Sequence, residues 1–154
     1  ALIFEPVRSN YIETISTINQ PIQAVMSLEH PLSKYKSINL ADCLKYPLAL
    51  PPSPYAVREI LETAASEQSL DLEPTVEAES YIFLHNFVAR KTNAISFEVE
   101  IDVPKQSIDR SISTVPINLS NSHQGEIHLL KLQGRTFSGA TEKFIEQLLH
   151  VFNK

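Results

Sequence analysis

Ser53-Pro54-Tyr55 stands where a short apolar run, Leu48-Ala49-Leu50, gives way to a helical pattern. A helix starting there leaves backbone N–H groups unpaired and carries partial positive charge at that end, so it would attract a carboxylate or phosphate. Ser53 would add a hydroxyl, and Tyr55 a ring and a phenol. The structural alternative is that Ser53 caps the helix, Pro54 takes its first position and Tyr55 is a packed aromatic. Glu79-Ser80 opens a second helix and would present another N-terminus to the same space, again with plain capping as the alternative. Glu5 closes the first apolar run, where α/β folds place ligand residues. An acid there would repel anions or select an amine, unless it is simply a surface turn beside Pro6.

Other chemistry is sparse. The five histidines are His30, His85, His123, His128 and His150. His123 and His128 are near in sequence, but five residues apart on a strand they face opposite ways. No acid or cysteine at ligand spacing accompanies them, so no metal is expected. Cys43 is the single cysteine, which rules out an internal disulfide and a thiolate zinc site and fits a reducing cytosol, as it would equally fit an exported protein without disulfides. It reads as a buried structural thiol rather than a nucleophile. Three glycines supply neither of the phosphate-cradling motifs, and no G-x-S-x-G elbow is present. Glu98, Glu100 and Asp102 alternate along a strand and read as a solvated edge. Neither an enzyme nor a cofactor is indicated.

The elements that must position these residues follow from periodicity and proline. The chain has 154 residues, 43% hydrophobic and 20% charged, the make-up of an ordinary folded domain. Its net charge of -5 suits nucleic acid poorly, and no apolar run is long enough to span a bilayer, so no membrane partner is expected. Strands are expected over residues 1–4, 11–18, 22–28, 46–50, 74–78, 94–103, 114–119 and 126–132. Residues 37–44 read as a helical turn or two. Val57, Ile60, Leu61 and Ala64 make one apolar stripe of a helix, leaving Arg58, Glu59, Glu62 and Glu67 on its outer surface. A second helix spans about 80–90. Ser138 caps a third, in which Phe144, Ile145, Leu148, Leu149 and Phe152 form a wide apolar face. Strands alternating with helices imply an α/β domain with a largely parallel sheet.

Four stretches make the chain resemble the effector-binding, or substrate-binding, region of LysR-type transcriptional regulators. They are His30-Pro31-Leu32 followed by Leu40-Ala41-Asp42-Cys43-Leu44; Leu50-Pro51-Pro52-Ser53-Pro54-Tyr55 leading to Arg58-Glu59-Ile60-Leu61; Pro74-Thr75-Val76-Glu77-Ala78-Glu79-Ser80; and Arg135-Thr136-Phe137-Ser138-Gly139-Ala140 running on to Phe144. Their order and spacing carry the resemblance. Lys91 to Phe97 departs from it by lacking the family's glycines.

The resemblance implies a type 2 periplasmic-binding-protein-like fold, with two α/β lobes joined by a hinge and a ligand cleft between them. Residues 1–18 would be part of lobe I, 19–120 lobe II, and 121–154 the return to lobe I. The first lobe would be incomplete, its natural start lying upstream of Ala1. A small-molecule effector, anionic in one reading, would meet Ser53, Pro54, Tyr55, Glu79, Ser80 and Glu5, with Phe97 as a further contact. The helix at residues 57–69 would pair with a second copy in a homodimer or homotetramer. DNA would be reached only through a separate N-terminal domain. A cytoplasmic regulator is therefore expected, with a transporter's solute-binding protein as the rival on the same fold. Part of the last helix's apolar face would be exposed unless a partner chain or another segment covers it.

Overall fold

A computed structural model describes residues 1–5, 9–90, 93–99, 111–119 and 125–152. They divide into two compact units, unit 1 from residues 1–18 and 126–154 and unit 2 from residues 19–125.

Unit 2 is built around β3 (Ile22–Ser27), every residue of which is buried. Its neighbours are β7 (Ile95–Val99) and β8 (Ile112–Asn118), both antiparallel to it. β4 (Ile38–Asn39) joins β8 in parallel. β5 (Ala49–Leu50) and β6 (Val76–Glu77) form a parallel pair, and a parallel bridge from Leu48 to Ile95 ties that pair to β7. The sheet is thus mixed, not largely parallel. Strand–helix alternation specifies a parallel neighbour only where one crossover helix joins two adjacent strands. That holds for β5, α2 (Ala56–Glu67) and β6. β3 instead pairs with strands far along the chain.

Two helices cover this sheet. α2 buries Val57, Leu61 and Ala64 of the expected stripe together with Ala65 and Arg58, while Ile60 is only half-buried. α3 (Tyr81–Arg90) buries Leu84 and Val88 against Val25, Ala49 and Ala94. The short α1 (Leu40–Cys43) brings Leu40 and Cys43 into the core. Fully burying such an aliphatic side chain contributes about 1.5–3 kcal/mol, so this cluster anchors α3 on the sheet.

Unit 1 is thinner. β9 (Gly125–Leu132) lies between β1 (Leu2–Phe4) and β2 (Ile12–Gln20), with β1 antiparallel to it. Gly134, at φ 74, turns the chain towards α4 (Gly139–Phe152). Ser138 caps α4, its Oγ accepting the Thr141 N–H at 3.3 Å. No residue of α4 is fully buried, and Phe144 and Val151 are more than half exposed. The expected strand at residues 94–103 ends at Val99 among the described residues; Glu100 and Asp102 lie outside them, as does His123.

Candidate ligand-binding face

β5 and β6 run side by side in the same direction, with Leu50 opposite Glu77 and the Ala78 N–H bonded to the Leu50 carbonyl at 3.1 Å. Their C-terminal ends therefore release two loops from one edge, residues 51–55 into α2 and residues 78–80 into α3. Ser53, Pro54, Tyr55, Glu79 and Ser80 all sit on these loops and all are exposed. This placement is the one by which parallel strands bring ligand groups together at their carboxyl ends.

The first loop is longer than a simple cap. The Tyr55 N–H bonds back to the Pro52 carbonyl at 3.1 Å, closing a turn in which the Ser53–Pro54 peptide is cis. α2 begins only at Ala56, with Tyr55 as its N-cap and no side-chain capping bond. Ser53 is therefore not the cap and Pro54 is not the first helical residue, because the turn uses both before the helix starts. The opening amides of α2 are left for solvent or a ligand. α3 differs: Ser80 Oγ accepts the Phe83 N–H at 3.3 Å, so that hydroxyl is already engaged as a cap.

Arg58 escaped sequence reasoning, which set it on the solvent side of α2. Its side chain is 9% exposed. Nε donates to Glu62 at 2.6 Å, and Nη1 donates to Glu77 at 2.9 Å and to the Pro51 carbonyl at 3.5 Å. The signal for it was the glutamate spacing: Glu62 follows Arg58 at i+4 on one helix face, a pairing distance. Glu77 could not be paired with it without knowing that β6 lies beside β5.

Glu5 and Phe97 are placed elsewhere. Glu5 belongs to unit 1, where its backbone N–H bonds to the Glu126 carbonyl at 2.9 Å and its carboxylate accepts the Glu126 N–H at 2.7 Å. It adopts φ 46 in closing that exchange. Phe97 lies in β7 opposite Ala24 and is fully buried, because β7, though it ends the four-stranded sheet, has every residue covered.

Two further groups bear on chemistry. Cys43 is buried, and burial first and the neighbouring Asp42 charge second push its thiol up to about 12, so it stays protonated and unreactive near neutrality. His85 of α3 and Glu98 of β7 form a buried pair at 2.8 Å. Glu98 is 1% exposed, so it is no solvated edge: β7 turns that side chain under α3. Among the described residues no group of three metal-ligating side chains gathers, and no helix is long and apolar enough to cross a membrane. In unit 1 a depression of about 640 Å³ opens beside the start of α4, lined in part by Ile3, Ile12, Lys131, Arg135 and Phe137.

The family model for the LysR substrate binding domain matches residues 1–153. The chain belongs to the LysR substrate-binding domain family. No curated protein sequence matches it. Among solved structures, this LysR domain is similar to the effector-binding domain of QuiR in complex with shikimate, at 22% identity and a TM-score of 0.70, over 99% of this chain and 71% of that one. It is also similar to the Synechocystis PCC6803 CcmR regulatory domain in complex with 2-PG, at 14% identity and a TM-score of 0.74, over 98% and 72%. For full-length BenM the values are 18% and 0.73, over 99% of this chain and 50% of BenM. At these identities the likeness is one of fold: a LysR substrate-binding domain of periplasmic-binding-protein type, in which the β5–α2–β6 unit supplies the paired loops.

Proposed function

We propose that this LysR domain senses a small molecule on the face formed by the loops after β5 and β6. Ser53 and Tyr55 offer hydroxyls, Pro54 shapes the turn, and the opening amides of α2 receive an anionic group such as a carboxylate. Glu79 accepts from the ligand's hydroxyl or amine donors, and Ser80 fixes the start of α3 beside them. The observation that carries this reading is the parallel β5–β6 pair, which places both helix starts on one edge, with α2 uncapped by any side chain. Glu5 and Phe97 act indirectly, Glu5 by holding the β1–β9 ends together and Phe97 by filling the sheet core.

Binding would be passed to a separate DNA-binding domain in a homodimer or homotetramer, with no reaction catalysed. Membership of the LysR family supports this over transport of a solute. QuiR with shikimate and CcmR with 2-PG support a small, oxygen-rich anion as the ligand class. Titrating the isotopically labelled chain with shikimate and with 2-PG, while following amide resonances, tests it. Saturable shifts should concentrate at Tyr55–Arg58 and Glu79–Ser80. Shifts confined to the depression in unit 1, or none with either compound, would count against this face.

A further inference from the structure

We infer that Arg58 is a positioning residue for the ligand face, holding the two loops in register through one buried guanidinium. The inference rests on the reading of that face given above.

Three pieces of chain converge on this side chain. Arg58 is in the first turn of α2, Pro51 is the first residue after β5, and Glu77 is the last residue of β6. The guanidinium reaches the Pro51 carbonyl and the Glu77 carboxylate with the same nitrogen, while Nε holds Glu62. A fork of fixed geometry can satisfy acceptors in three directions; an ammonium, a single point of charge on a flexible stem, cannot reproduce that arrangement. Burial makes the arrangement obligatory, since a guanidinium removed from water without partners is strongly unfavourable. Glu62 and Glu77 are about half exposed, so they close the outer side of the clamp. Two carboxylates already balance the Arg58 charge. It therefore acts on a ligand through the loops and not by touching it.

The arrangement has a specific consequence. Residues 53–55 and 79–80 are short segments with exposed side chains, and β5 and β6 are only two residues each. Backbone pairing alone offers little to fix one loop against the other, so Arg58 supplies the cross-link. A bulk contribution to folding would spread through unit 2, whereas a positioning role would be felt at these loops first.

Amide hydrogen exchange on the intact 154-residue chain separates the two. The reporters are hydrogen-bonded amides on either side of the clamp: Tyr55 and Glu59 where the first loop enters α2, Ala78 and Leu84 where the second enters α3. Ala24, Val25 and Met26 in β3 report on the core. In Arg58→Lys, which keeps the charge but not the fork, the four loop amides should exchange about tenfold faster, while the β3 amides change less than about threefold. Glu77→Gln, which keeps the arginine and removes one partner charge, should accelerate Ala78 and Leu84 in the same direction by less. Unchanged loop exchange in both variants, or loop and β3 amides accelerating together, would overturn the inference. Should Arg58→Lys fail to fold, the Glu77→Gln comparison decides alone. The ligand titration is a separate readout: absence of any response to shikimate or 2-PG in the unmodified chain counts against the ligand face, not against the coupling of the loops.

Discussion

His30 shows how much one buried side chain can carry. It opens the His30-Pro31-Leu32 stretch, and its Nδ1 accepts the Leu32 N–H at 3.1 Å, capping the 3-10 turn Pro31–Lys34. Its ring meets Tyr46 edge-on, centroids 4.4 Å apart. Burial lowers its pKa from the usual 6.5, with the Asn93 backbone opposing more weakly. The folded state therefore resists a proton that the unfolded chain accepts readily. Between 6.5 and the lower folded value the unfolded state binds more protons, so stability is complete above this window and falls as pH falls through it. Urea midpoints measured downwards from neutrality should decline, and His30→Asn, which can still accept the Leu32 N–H, should flatten part of that decline. An identical pH profile in the variant would remove His30 from the explanation. Glu98 teaches a complementary lesson at the same scale. Its place in an acidic alternation suggested solvent, yet only the partner on α3, His85, determined its burial.

Capping separates the helices at the scale of elements. Ser80 and Ser138 each accept an N–H of the following turn, and each stands one residue before its helix. Ser53 stands three residues before α2 and caps nothing, because the Pro52–Tyr55 turn intervenes. Ser80→Ala should thus destabilise the domain by about 1 kcal/mol, the usual loss for a serine cap. Ser53→Ala should change stability by less than about 0.5 kcal/mol, as surface replacements do. Paired urea denaturations of the two variants check this. Equal losses would mean that Ser53 contributes to folding after all. All three long helices were expected near their observed places, α2 and α4 from their apolar faces, since 3.6-residue periodicity is a local property. The start of α2 was not, because serine and proline before an apolar stripe suit a capped helix and a turn equally well.

The two units differ in how much apolar surface they bury. Unit 2 encloses β3 and β7 on both faces, whereas unit 1 sets one three-stranded sheet beside a helix with no fully buried residue. Phe144 and Val151 of α4 are 62% and 69% exposed, and Leu2, Ile3, Tyr11, Ile12 and Leu132 of the same unit are exposed as well. Where so many large apolar side chains of one small unit are exposed, association that covers them is favourable. The 154-residue chain should self-associate with rising concentration in analytical ultracentrifugation, and Phe144→Glu should reduce that association while leaving β3 exchange rates unchanged. A strictly monomeric chain at all concentrations, with one cooperative melt, would show that unit 1 needs no cover.

Order and spacing along the chain were enough to reach the LysR family, the α/β class and most element positions. These follow from short-range rules: apolar period, proline punctuation and the sequence of motifs. The candidate face was partly legible, in that Ser53, Tyr55, Glu79 and Ser80 could each be named as flanking a helix start. Their common edge, the mixed direction of the central sheet, the burial of Arg58 and the His85–Glu98 pair were not. Each depends on which strands become neighbours, as β5 does to β6 and β3 to β7. Strand pairing joins residues tens of positions apart, and the period-two pattern that makes a strand carries no mark of its partner.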